Sequence, residues 1–133
     1  MDPDRQKRIL IIDDSEQLCR ALERLFRSEG YVVSTAENGQ VGLGAVRSFR
    51  PDLVIVDVVM PVMDGVELVK QVHKILPDLA IIYISGYAED SFRQKVGEES
   101  HIHFLPKPFS LKELARKVKD VMPDHGKPKI AND

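Results

Sequence analysis

Five short apolar runs alternate with five segments of helical character along this 133-residue chain, and that alternation restricts the fold more than any other feature. The runs are Arg8–Ile12, Tyr31–Thr35, Leu53–Val56, Ala80–Ile84 and Ile102–Leu105. Three of them contain ILII, LVIV and AIIYI, continuous hydrophobic stretches that are typical of parallel strands covered on both faces. Strands that alternate with helices over short connections predict a parallel sheet with helices on both sides.

The helical segments carry apolar residues at a spacing of three and four. The first stripe runs from Leu18 to Phe26 and ends at Gly30, the third stops at Pro77, and the last stops at Pro123. The second, NGQVGLGAVRSF, is weaker because each internal glycine disfavours a helix by about 1 kcal/mol. The fourth, EDSFRQKVG, shows little periodicity, so we expect a short, loosely held helix.

Composition excludes several classes of protein. The net charge of −2 creates no field that would draw the chain to nucleic acid or to an anionic membrane. No apolar stretch is long enough to span a bilayer. The single cysteine, Cys19, excludes an internal disulfide and falls in a helical stripe, which favours a place in the core. We therefore expect a cytoplasmic protein without direct membrane contact.

Polar side chains follow four of the five runs, at the points where the predicted strands end. They are Asp13 and Asp14 after the first run, Asp57 after the third, Ser85 after the fourth and Lys107 near the end of the fifth. Ligands of open α/β sheets bind beyond the carboxyl ends of the strands, so we expect these side chains to form one cluster.

Three carboxylates in one cluster would repel each other unless a cation lay among them. Mg²⁺ suits such oxygen ligands, and we expect it here, with Mn²⁺ as an alternative. Two acids at a metal and a third acting as nucleophile would permit phosphoryl transfer onto a carboxylate, with lysine and hydroxyl groups holding the phosphoryl oxygens. An unpaired buried carboxylate is costly, so we expect Asp57 at an open mouth of the sheet rather than buried.

Each member of the set also has a purely structural interpretation. Asp14 or Ser15 could cap the first helix, and Asp64 could cap the third. The Ser-Gly pair after the fourth run could be a simple turn, and Lys107 could be an ordinary solvated lysine. Asp57 resists this interpretation best, because no neighbour in the sequence offers it a partner. The joint occurrence of these residues favours a site.

The motifs IIDDSE, PDLVIVDVVMPVMDG, YISGY and FLPKPF together resemble the receiver domain of two-component response regulators. They arrive in order and at family-like spacing across residues 8–122. We expect residues 1–7 to be an N-terminal extension, and the polar residues 123–133, which include Pro and Gly, to be a disordered tail. The resemblance implies an α/β, flavodoxin-like (βα)5 three-layer sandwich with a five-stranded sheet of order 2-1-3-4-5. YISGY with LPKPF is similar to receivers of hybrid histidine kinases.

The resemblance also implies roles at the metal. Asp57 would accept a phosphoryl group from a phosphohistidine of a sensor histidine kinase or a histidine phosphotransfer protein. Asp13, Asp14 and Asp57, with the backbone carbonyl of Val59, would bind Mg²⁺. Such a chain would catalyse its own phosphorylation and dephosphorylation, would act mainly as a signalling switch, and would be a monomer or a weak dimer.

The resemblance implies that further residues take part in the conformational change that follows phosphorylation. Lys107 would pair with the phosphoryl group and join Pro108 through a cis peptide bond. Ser85 and Phe104 would shift together and reshape the surface of the fourth helix, the fifth strand and the last helix. Val59 and Tyr87 would flank the water that hydrolyses the aspartyl phosphate, and an apolar Val59 predicts slow self-dephosphorylation.

Other functions fit the sequence less well. A nucleotide pocket needs glycines and free N–H groups at the first turn, where this chain has DDSEQ. A haloacid-dehalogenase-like phosphatase needs an aspartate where Val59 stands. His101 and His103 share a face of the predicted fifth strand without a third metal ligand nearby. The remaining alternative is a receiver-like scaffold that binds partners without phosphorylation.

Overall fold

The computed structural model describes residues 6–60, 63–86 and 102–122. Five strands within these ranges form one parallel sheet in the order β2-β1-β3-β4-β5, which confirms the predicted flavodoxin-like fold. The strands are β1 (Arg8–Ile12), β2 (Val32–Ala36), β3 (Leu53–Asp57), β4 (Ala80–Ser85) and β5 (Ile102–Pro106). All five strands run the same way, so their carboxyl ends meet at one edge of the sheet.

Four helices flank the sheet in the described ranges: α1 (Glu16–Ser28), α2 (Gly39–Phe49), α3 (Gly65–Ile75) and α4 (Leu111–Val121). Helices α1 and α4 bury their apolar sides against one face, and α2 and α3 cover the other. Ile11 and Ile12 belong to opposite cores because successive strand residues alternate between the faces. None of the four helices is long and apolar enough to cross a membrane. The predicted helix at EDSFRQKVG and the tail of 123–133 lie outside the described residues.

Each helix begins at a side chain that caps it. Ser15, Asn38, Asp64 and Ser110 each accept a hydrogen bond from the backbone N–H three residues later. Such a cap stabilises a helix by about 1 kcal/mol. The structural interpretation is thus confirmed for Ser15 and Asp64, whereas Asp14 is exposed and does not cap α1.

Strand β2 begins one residue later than predicted, at Val32–Ala36 instead of Tyr31–Thr35. The N–H of Tyr31 donates to the carbonyl of Phe26 at 3.0 Å, and Gly30 between them has a φ of 97°. The two aromatic rings also meet edge to face, with 5.9 Å between centroids. This pattern is a Schellman ending of α1. Tyr31 therefore completes the helix end and cannot start the strand.

Candidate functional site

The structure brings four of the predicted side chains together at the carboxyl edge of the sheet. One carboxylate oxygen from each of Asp13, Asp14 and Asp57 lies within 4.8 Å of the other two. The Nζ of Lys107 lies 3.4 Å from Asp57 Oδ2 and 4.0 Å from Asp13 Oδ2. The result is a compact acidic cluster with one ammonium group at its side.

Asp57 is the last residue of β3 and is only 6% exposed, so the prediction of an open position was wrong. Strand β3 lies between β1 and β4, and the N–H of Gly65, at the start of α3, donates to the Val58 carbonyl just past the end of β3 at 2.9 Å. A Cβ on Gly65 would come within 2.4 Å of the Asp57 carbonyl oxygen, which shows how closely the backbones approach. The carboxylate is nevertheless partnered: Oδ1 accepts the N–H of Val59 at 3.0 Å, and Oδ2 faces Lys107.

Asp13 is more deeply buried, at 1% exposure, and is only partly satisfied. Its Oδ1 accepts the N–H of Ser15 at 2.8 Å, and its backbone carbonyl accepts the thiol of Cys19 at 3.4 Å. Its buried Oδ2 accepts no hydrogen bond from the described residues. Burial raises the pKa of Asp13; the Ser15 hydrogen bond opposes this shift, and the neighbouring carboxylate of Asp57 reinforces it.

The cluster fits a hard divalent cation. An orphaned buried carboxylate oxygen is rare in proteins and requires an explanation. The explanation that the donor set offers is Mg²⁺, which prefers oxygen ligands and is typically bound by one or two carboxylates with waters completing its coordination. Exposed Asp14 would leave part of the cluster open to solvent. These acids therefore have the chemistry of a magnesium site.

Ser85 and Phe104 are both buried, at 0% and 5% exposure, on the neighbouring strands β4 and β5. The backbone N–H of Lys107 donates to the Ser85 carbonyl at 2.7 Å, which ties the end of β5 to the end of β4. The Lys107–Pro108 peptide bond is cis, as expected. Tyr87 lies outside the described residues.

Val59 has an exposed side chain, with 51% of its surface accessible, next to the acidic cluster. Its N–H is engaged with Asp57, whereas the predicted role of its carbonyl as a metal ligand stays a prediction. An exposed side chain without hydrogen-bonding groups thus stands two residues after Asp57.

Residues 9–119 match the family model of the response regulator receiver domain. The chain belongs to this family. As a receiver it is 39% identical over 116 residues to the sensor kinase CckA of Brucella abortus, a match that covers 86% of this chain and 12% of the kinase. It is 34% identical to sporulation initiation phosphotransferase F of Bacillus subtilis, over 88% of this chain and 94% of that protein.

Solved receivers have the same fold. The chemotaxis protein CheY4 of Vibrio cholerae superimposes with a TM-score of 0.83 at 28% identity, covering 89% of this chain and all of that one. The chain spans only 12% of the kinase and about half of several response regulators that it also matches. What those whole proteins do is therefore not established for this chain.

Sequence reasoning missed three residues that position the acids of this receiver. Ser15 and Cys19 hold Asp13, and Gly65 allows α3 to approach Asp57. The role of Ser15 could have been predicted, because the side chain of an aspartate often accepts a hydrogen bond from the backbone N–H of the residue two positions later in the chain. No local pattern indicates Cys19 or Gly65, whose roles depend on contacts across the fold.

Proposed function

We propose that this receiver is a phosphorylation-dependent switch in which Asp57 accepts the phosphoryl group of a phosphohistidine. One observation carries the proposal: Asp13, Asp14 and Asp57 converge within 4.8 Å while a buried oxygen of Asp13 has no hydrogen-bond donor among the described residues. A purely structural cluster would not hold three acids in this way, because their mutual repulsion disfavours the fold. The cluster suits a protein that first binds Mg²⁺ and then accepts an anionic phosphoryl group.

The side chains have separate tasks in the transfer. The new O–P bond forms at a carboxylate oxygen of Asp57 as the P–N bond of the donor breaks, and the electron pair of that bond stays on the histidine nitrogen. The Val59 N–H at 3.0 Å fixes the carboxylate plane, and Lys107 at 3.4 Å would pair with the added phosphoryl oxygens.

Asp13, Asp14 and Asp57, with the carbonyl of Val59, would hold the metal ion. Mg²⁺ bound there, or Mn²⁺ in its place, would neutralise the acids and hold a phosphoryl oxygen. The phosphoryl donor would be a sensor histidine kinase or a histidine phosphotransfer protein. The names of two relatives, a sensor kinase and a phosphotransferase, support this class of partner.

Ser85 and Phe104 would transmit the change. Both are buried on the adjacent strands β4 and β5, so a shift of the Ser85 hydroxyl towards a phosphoryl group on Asp57 would require the packing around it to adjust. Buried, close-packed side chains tend to move between discrete arrangements, which suits a two-state signal.

The proposal is tested with acetyl phosphate and Mg²⁺, followed by intact-mass measurement. The wild type should gain one phosphoryl group and Asp57→Asn none, while the control Asp120→Asn, an exposed acid on α4, should be labelled like the wild type. Labelling of Asp57→Asn would show that another group is the acceptor. An unlabelled wild type would favour the alternative, a scaffold that binds its partner without phosphorylation.

The lifetime of the phosphoryl group should be long, because the exposed Val59 side chain cannot orient a hydrolytic water. Tyr87 would flank the same water. Val59→Asn should shorten the lifetime of the labelled protein about tenfold or more, since a positioned polar group typically contributes a factor of 100 or more to proton-transfer steps. A wild-type lifetime of seconds at neutral pH with Mg²⁺ would contradict this prediction.

A further inference from the structure

A cavity of about 770 Å³ opens at the amino edge of the sheet, at the opposite ends of the strands from the acidic cluster. It lies between the last turns of α2 and α3 and the connections that lead into β3 and β4. Its apolar lining includes Val46, Ile75, Leu76 and Leu79. We call it the amino-edge cavity.

The size and lining of the amino-edge cavity match those of small-molecule sites. Ligand pockets typically have volumes of about 300–1,000 Å³ and mostly apolar walls with a few polar groups. Here the wall is mainly apolar, and Arg47 and Arg50 contribute positive charge. Both arginine residues are exposed, and within the described ranges neither side chain has a hydrogen bond or an ion pair.

Two acids, Asp52 and Asp78, also line the amino-edge cavity, and within the described ranges neither is ion-paired with these arginines. Asp52 is buried at 4% exposure, and its Oδ2 accepts the N–H of Arg8 at 2.8 Å. Asp78 is likewise engaged in an interaction of its own. The cations available to a ligand are therefore the two guanidinium groups of Arg47 and Arg50.

The backbone of Arg50 gives an independent reason to connect its side chain with a ligand. It ends α2 in the left-handed conformation, with φ 53° and ψ 67°, and it is the non-glycine residue with positive φ among the described residues. Glycine is the usual residue at such a helix end, because a Cβ is disfavoured there. Backbone strain of this kind is often retained at functional positions, and this strained residue lines the cavity.

We propose that the amino-edge cavity binds a small amphipathic carboxylate, whose aliphatic body lies on the apolar wall and whose carboxylate pairs with Arg47 and Arg50. The planar guanidinium group presents parallel N–H donors that match a carboxylate. The apolar wall supplies the larger part of the contact, and the arginines select the charge of the ligand. This site is separate from the acidic cluster and does not depend on phosphorylation at Asp57.

Decanoate is a suitable probe, with decyltrimethylammonium as the control of equal chain length and opposite charge. Each is titrated into the isotope-labelled chain below its micelle concentration and followed by amide NMR. Decanoate should give saturable shifts at Val46, Leu76 and Leu79, and the cation should bind at least about tenfold more weakly, because it cannot pair with arginine. Equal binding of the two probes, shifts without saturation, or shifts centred elsewhere would overturn the proposal.

Variants separate binding from folding. Arg50→Gly removes the guanidinium group and also the strain of a Cβ-bearing residue in the left-handed conformation. The variant should therefore melt at the wild-type temperature or higher, and it should bind decanoate about tenfold more weakly. Arg47→Gln should weaken binding similarly. The control Arg24→Gln, an exposed arginine on α1, should bind decanoate within about twofold of the wild type. Unchanged affinity in a folded Arg50→Gly variant would refute the assignment.

Discussion

Two buried aspartates at opposite edges of the sheet are held in different ways. At the amino edge, Asp52 accepts the N–H of Arg8 at 2.8 Å, and its own N–H donates to the Arg8 carbonyl at 2.8 Å. The Nε–H of Arg8 in turn donates to the Phe49 carbonyl, and the guanidinium carbon of Arg8 lies 4.3 Å from the centre of the Phe49 ring. At the carboxyl edge, Asp13 leaves one buried oxygen without a donor among the described residues.

This difference distinguishes a structural acid from a functional one. Asp52 closes a reciprocal pair with Arg8, so its burial costs little and the pair joins β1 to the start of β3. Asp13 lies near another buried carboxylate, and burial raises its pKa. Lys107 supplies one ammonium group to the two buried carboxylates, at 3.4 Å from Asp57 and 4.0 Å from Asp13, and a bound metal ion would complete the arrangement. Three predictions test this distinction.

The largest effect should come from adding the metal. Mg²⁺ at about one hundred times its dissociation constant should stabilise the wild type by about 2.7 kcal/mol, because it binds the folded chain alone. Asp13→Asn should lose this gain and Asp52→Ala should keep it. Urea unfolding with and without Mg²⁺ measures both, and an equal gain in all three proteins would show that the ion binds elsewhere.

Asp52→Ala should have the next largest effect, a loss of about 2 kcal/mol of unfolding free energy with or without Mg²⁺. The substitution leaves the part-buried N–H of Arg8 without its acceptor, and an unsatisfied buried donor typically costs about 1–3 kcal/mol. Asp120→Ala on α4, an exposed acid, is the control and should stay within about 0.5 kcal/mol of the wild type. A loss below that of the control would mean that the reciprocal pair does not stabilise the fold.

Asp13→Asn should have the smallest effect and the opposite sign, a gain on the order of 1 kcal/mol at neutral pH without metal. The pKa of Asp13 is raised by burial, so between its ordinary and its raised pKa the folded state binds more protons than the unfolded state. Stability therefore falls as pH rises through that window.

The advantage of the Asp13→Asn variant should accordingly persist at neutral pH and vanish below the ordinary aspartate pKa of about 3.9, where both proteins are neutral at this position. Unfolding curves at several pH values measure the difference between the two proteins. An advantage that is unchanged in acid would point to packing rather than to charge.

The sequence predicted most of the fold because local patterns encode it. Continuous apolar runs correspond to the strands buried on both faces, and Asp64 and Ser15 cap helices as their positions indicate. The strand-end rule also placed Asp13, Asp14, Asp57 and Lys107 at one edge, where the structure brings them together.

The predictions were wrong or incomplete where contacts with a distant part of the chain determine the packing and burial of a residue. The sequence pattern identifies Gly42 only as a weak helix former, yet a Cβ there would lie 2.6 Å from Ile12 Cδ1, so its absence lets α2 approach β1. Asp57 was expected at an open position, but it is buried at the end of β3, where the backbone of α3 comes close to its carbonyl group. Periodicity along one segment carries no information about how closely a second segment approaches.

By itself, the sequence determined the order of the strands and helices, the types of side chain at the carboxyl edge and the family to which the chain belongs. Each depends on residues close together along the chain or on motifs in fixed order. Only the tertiary structure decided that Asp57 and Asp13 are buried, that Asp13 keeps an oxygen without a donor among the described residues, and that a cavity with two arginines opens at the other edge. Burial and hydrogen-bond satisfaction depend on every element that packs around a group, and so they follow from the assembled fold.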